Sequence, residues 1–149
     1  MRSGKGSKMN ERINQALEEA AERVRQIDAE NKIRLEFLLA EADFLDDEGY
    51  PTDEALEVVE KWHWLDSECW FNFIKGIWHL SSWGWHEGEE PDEWNEKDIN
   101  YRYTISTAGW SGNESIIYAM EKNHMLWSMT WVQSRRGGHY IFEKKVFED

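Results

Sequence analysis

The sequence predicts an α+β fold: a helical N-terminal two-thirds, with a long amphipathic helix plus two or three further helices, packed with a small C-terminal β-α-β-β unit. Three observations predict it. Apolar residues recur in steps of four and three from Ile13 to Ile27, as on one face of a helix. Capping residues and turn formers then punctuate two more helical stretches before Ser82. From Tyr101 the apolar period changes to two.

Residues 1–8 are small and basic without pattern and read as a disordered start, followed by one α+β domain over 9–149. Helix is expected from Asn10. Ile13, Leu17, Ala20, Val24 and Ile27 form its apolar seam, and with Leu17 and Val24 as a positions of a heptad, Asn31 falls at the next a. Residues 9–35 therefore form either a helix packed on its own domain, the favoured reading, or a projecting helix that dimerises through residues 13–31. Apolar residues thicken from Ile33 to Leu45, predicting a buried continuation after a bend near Asn31. It stops at Asp46-Asp47-Glu48-Gly49, with Gly49 as a left-handed cap and Pro51 barring continuation.

Thr52 caps the next helix, and Asp53 and Glu54 complement its dipole. Ala55, Leu56, Val59 and Trp62 give its inner face. Asp66 or Ser67 caps a third helix, whose inner face is Trp70, Phe73, Ile74, Ile77 and Trp78. Residues 83–98 are rich in Gly, Pro, Trp and acid with no period, which predicts a loop. Residues 99–149 form the β-α-β-β unit. Tyr101, Tyr103 and Ile105 alternate as a strand. Ser111 and Glu114 match a capping box for a helix reaching Met120 or Lys122. Trp127, Met129 and Trp131 alternate as a second strand. Arg136-Gly137-Gly138 signals a hairpin, and His139 to Val146 is the third strand.

The chain of 149 residues is long enough for a core without a disulfide or metal staple, and its one cysteine, Cys69, fits a reducing compartment. No apolar run reaches the ~20 residues of a membrane span, and the polar start has no signal-peptide core. The expected location is intracellular. The net charge of −13 is localised: residues 36–99 hold 19 acidic and 3 basic groups, while the flanking segments are close to neutral. That excludes a protein coating extended duplex nucleic acid, which needs a basic face. The same segment holds seven of the ten tryptophans.

Several motifs resemble those of a known family. They are Gly49-Tyr50-Pro51-Thr52 with Glu54-Ala55-Leu56, Ile77-Trp78-His79 followed by Trp83-Gly84-Trp85, the run Ser106-Thr107-Ala108-Gly109-Trp110-Ser111-Gly112-Asn113-Glu114, and Ser134-Arg135-Arg136-Gly137-Gly138-His139-Tyr140. Together, over about residues 36–143, the chain resembles a family of small proteins encoded by tailed bacteriophages and prophages. Ala108 stands where that family's turn would carry a second Gly. The resemblance implies a phage setting, and hence the host cytoplasm, but no mechanism. Residues 1–35 lie outside it.

Two candidate sites follow. The first is an anion or nucleotide site. The helix start at Trp110, Ser111, Gly112, Asn113 and Glu114 offers backbone N–H groups and a stacking face, and Arg135, Arg136, His139 and Tyr140 offer charge and ring. The second is a protein-binding surface on Trp83, Trp85, Glu87, Glu89, Glu90 and Trp94, where aromatics anchor and carboxylates steer. Catalytic patterns are weak: Gly109-Trp110-Ser111-Gly112 lacks nucleophile-elbow spacing, and no P-loop is present. The histidines and Cys69 show no metal-ligand spacing, so no cofactor or metal is predicted. The leading reading is a non-enzymatic phage accessory protein that antagonises a host factor by binding its basic surface. A small-anion-sequestering protein is the alternative, and a nucleotide hydrolase comes third.

Overall fold

A computed structural model describes residues 4–146. It is an α+β structure. Helix α1 runs Gly4–Glu41, α2 Asp53–Lys61, α3 Ser67–Ile77 and the short α4 Ser81–Gly84; strands β1 (Trp85–Pro91) and β2 (Ile99–Ser106) follow. Helices α5 (Ser111–Lys122) and α6 (His124–Thr130) lead into β3 (Trp131–Arg135) and β4 (His139–Val146). The strands form one antiparallel sheet in the order β1-β2-β4-β3. From Ile99 onward the order is β-α-α-β-β, the expected β-α-β-β with the short helix α6 added before β3, and β1, from the predicted loop, joins the same sheet.

α1 is one helix of 38 residues that runs through Asn31 without interruption. It already includes Gly4 to Lys8, part of the stretch read as a disordered start; residues 1–3 lie outside the described residues. It also ends earlier than expected, at Glu41. The acidic turn at 46–49 belongs to a separate loop: the Asp46 carboxylate accepts from the Glu48 and Tyr50 N–H groups, and Gly49 takes φ +86°. Thr52 closes that loop by donating to the Asp43 carbonyl, and its hydroxyl oxygen accepts from Ala55 N–H to cap α2 as expected. Asp66 caps α3 through the Cys69 N–H.

The seam on α1 is not packed on its own domain. Leu17 is 63% exposed, and Ile13, Val24 and Ile27 are also exposed; the domain meets the helix only from Asp28 onward, at Asn31, Leu35 and the buried Leu38. Arg34 forms a two-pronged ion pair with Glu57 of α2 at 2.7 and 3.0 Å, and Lys61 reaches the same carboxylate at 2.8 Å. These two cations lower the Glu57 pKa from 4.5 to about 2.

The core lies between α3 and the sheet, with α2, α5 and α6 around it. Phe71 of α3 stacks on Tyr103 at 3.9 Å between ring centres and leans on Phe142 at 5.6 Å. Burial pushes the Tyr103 phenol well above its ordinary pKa. Trp70, also fully buried, donates its indole N–H to the Val59 carbonyl and so locks α3 to α2.

Two elements differ from the sequence reading for clear reasons. The predicted loop 83–98 contains β1, an edge strand on which Trp85 is buried and the residues after it are exposed or half-exposed, so it shows no alternation. Its acids and Pro91 suit an edge, because charge and proline there discourage pairing with another chain. The strand expected over 127–131 is α6 up to Thr130. Asn123 caps it through the Leu126 N–H, and its buried residues Leu126 and Thr130 are spaced by a helical turn, while the apparent alternation puts Met129 in solvent. Only at Trp131 does the chain become extended.

Candidate functional site

The turn between β2 and α5 is built by Thr107 to Trp110 and is followed by the first turn of α5 with Asn113. Ala108 (φ 54°) and Gly109 (φ 71°) take left-handed conformations, which reverse the chain after β2. Trp110, not Ser111, is the N-cap of α5, and no side chain caps it; the Ser111–Glu114 capping box is not made, because Ser111 already lies in the first helical turn. The Trp110 ring packs against Tyr50 at 4.6 Å and His79 at 4.4 Å between ring centres. It also lies so close over Gly112 that a side chain there would overlap it. The expected stacking platform is thus part of the protein's own packing.

Asn113 is likewise committed. It is fully buried, its Oδ1 accepts from the His79 N–H at 2.9 Å, and its Nδ2 donates to the His79 carbonyl at 3.0 Å and the Thr107 carbonyl at 3.4 Å. Ser111 and Glu114 are exposed and line a shallow groove of about 430 Å³ between α2 and α5, together with Leu56, Glu60, Tyr118 and Lys122.

The β3–β4 hairpin lies beside this turn. Ser106 pairs with His139 across the sheet, Thr107 N–H donates to the Gly138 carbonyl at 3.0 Å, and Gly138 sits against the Thr107 hydroxyl. The two motifs are therefore neighbours, joined through Thr107. Arg135, Arg136 and His139 are exposed at the hairpin, while Tyr140 is half-buried against Trp127 and Phe142. Burial, reinforced by Glu121 and Glu114, raises the Tyr140 pKa.

The acidic edge is arranged differently. Trp85 is buried, and its indole N–H donates to Glu87 at 2.7 Å; this removes it from the docking set and places it in the core beside Trp78 and Tyr103. Glu87 also accepts from the Tyr101 hydroxyl at 2.9 Å and lies 3.8 Å from Lys75. Glu89 and Glu90 are exposed on β1, Trp83 is 60% exposed before it, and Trp94 is 93% exposed after it. The loop carrying Trp94 is held by Asp92, whose carboxylate accepts from Asn100 Nδ2 at 2.7 Å, Trp94 N–H at 3.0 Å and Asn95 N–H at 2.9 Å. Those bonds, that of Asn100 foremost, depress the Asp92 pKa. Asn100 in turn donates to Glu143, which pairs with Arg102 at 2.6 Å.

A third feature gave no signal in the sequence. A groove of about 840 Å³ runs between α1 and the α2 and α6 ends, lined by Ile27, Leu35, Leu39, Trp62, Trp64 and Met125 among others. Its residues are scattered over three segments, so only the tertiary fold creates it.

Among the described residues, no three His, Cys, Asp or Glu side chains form a metal-holding group, and no helix is long and apolar enough to cross a membrane. No family model matches the chain, and neither a curated protein nor a solved structure matches it.

Proposed function

We propose that the chain is a non-enzymatic binding protein, a phage accessory factor that antagonises a host factor by docking on its basic surface. The observation that carries this reading is the almost fully exposed Trp94 on a loop fixed by the Asp92 and Asn100 bonds, next to an acidic edge strand. An indole held in solvent costs apolar hydration that a partner's burial would recover. The surrounding carboxylates of Glu89, Glu90 and Glu93 steer a basic partner toward it. The small-anion reading loses its stacking platform to Tyr50 and His79 and is the weaker one.

The test is capture of partners from host-cell lysate at low and high salt. The expected result is a partner retained at low ionic strength and released at high. Absence of any salt-sensitive partner would sink the reading.

A second association, of the chain with itself through residues 13–31, is favoured by a separate observation: the apolar seam of α1 is in solvent.

A further inference from the structure

We infer that α1 pairs with α1 of a second copy in antiparallel orientation, in a register centred between Glu18 and Glu19; this rests on the self-association just proposed. The seam carries its large and small residues unevenly. In this register Leu17 of each copy meets Ala20 of the other, and Ile13 of each meets Val24 of the other. Asn10 meets Ile27 at the ends. Every small side chain thus faces a large one, which fills the interface evenly. The flanking positions are also compatible: Arg23 of each copy lies beside Ala16 of the other, so no like charges face each other.

The alternatives fit worse. Shifted by one heptad, the antiparallel pair puts Ile13 against Asn31 and Arg23 against Arg23. A parallel pair sets Ala20 on Ala20, leaving a gap. It also fails against the rest of the fold. The face that bears the seam is the face on which the chain's own domain packs from Asp28 onward, through Asn31, Leu35 and Leu38. A parallel partner would carry its helix into that space and bring its own domain to the same end. The antiparallel pair keeps the two domains at opposite ends, so that only the first turns of each helix, Gly4 to Met9, come beside the other copy's domain, whereas a parallel partner would bring its helix there from Asp28 to Glu41. The occupant of the seam is therefore a second copy, since the seam complements itself.

The experiment uses the full chain. Sedimentation equilibrium of the unaltered protein is expected to give twice the 17.8 kDa chain mass, falling to one chain in Leu17→Glu with its far-ultraviolet circular dichroism retained. A single-chain mass at every concentration up to the millimolar range overturns self-association itself. A dimer indifferent to Leu17→Glu overturns association through the α1 seam, and the antiparallel pairing with it. Orientation is read separately in a Cys69→Ser background. Leu17→Cys and Ala20→Cys chains, mixed and oxidised, are expected to form a bridge between unlike chains, and neither alone to bridge. A dimer in which Ala20→Cys alone bridges would overturn the antiparallel register while leaving self-association standing. Chains that sediment as dimers but bridge in neither arrangement would overturn the register too.

Discussion

The Asn113 side chain holds the backbone of His79 from both sides, accepting its N–H at 2.9 Å and donating to its carbonyl at 3.0 Å. The same amide group reaches Thr107. One buried residue at the start of α5 thereby ties the end of α3 and the turn after β2 into a single unit. Replacing it with Ala removes the partner of the His79 N–H and carbonyl and of the buried Thr107 carbonyl. Asn113→Ala is expected to lower stability by about 2–4 kcal/mol, read by urea denaturation. A loss under half a kcal/mol would mean that water substitutes for the clamp.

Ala108 occupies a left-handed conformation at φ 54° without the freedom of glycine. Relief of that strain outweighs the extra entropy that glycine gives the unfolded chain. Ala108→Gly is therefore expected to stabilise the protein by about 0.5 kcal/mol. A clear destabilisation by the same denaturation measurement would contradict this account of the turn.

Gly138 marks the contact between hairpin and turn. A side chain there would overlap the Thr107 hydroxyl, at a backbone φ of +78°. Gly138→Ala is expected to cost about 2–4 kcal/mol from strain and overlap together. Gly137→Ala, where the nearest atom is 3.4 Å from the added carbon, bears the strain alone and is expected to cost less. Equal losses in the two variants would remove the argument that Thr107 joins the motifs.

Glu57 gives the fold a pH dependence with a fixed sign. Its folded pKa of about 2 lies below the ordinary 4.5 because Arg34 and Lys61 hold the carboxylate. Its contribution is therefore fully present above pH 4.5 and lost as pH falls toward 2. The pair is partly solvated, which limits the effect to about 1 kcal/mol. Glu57→Gln is expected to be less stable than the unaltered chain at pH 7 and to converge with it as pH falls toward 2. A gap independent of pH would show that the charge is not the source.

The local signals were readable and the tertiary ones were not. Thr52 and Asp66 cap helices because a short oxygen-bearing side chain just before a helix bonds its free N–H groups whatever surrounds it. β2, β4 and the Gly137-Gly138 hairpin are local in the same sense. β1 is a strand only because β2 lies beside it, and its single inward tryptophan leaves no periodic trace. α6 shows how alternation over a few residues misleads: Trp127 and Met129 mimic a strand, but the Asn123 cap and the docking of Leu126 decide for helix. In the candidate sites, residue type suggested the chemistry and packing reassigned it. Trp85 and Trp110 look alike in sequence to Trp94, yet Tyr103, Tyr50 and His79 claim the first two. The seam on α1 was legible; that the domain leaves it bare is a fact of the fold.

In the proposed docking mode, Trp94 and Trp83 anchor a basic partner while the acidic edge steers it. The direct measurement compares partner capture by the unaltered chain, a Trp83→Ala/Trp94→Ala variant and an Arg135→Ala/Arg136→Ala variant, all at low salt. Each altered side chain is exposed, so the fold is expected to survive in all three. Losing a hot-spot indole costs about 2 kcal/mol or more of binding. The expected result is that the tryptophan variant loses the partner and the arginine variant keeps it. Retention by the tryptophan variant with loss in the arginine variant would contradict it and return the function to the hairpin.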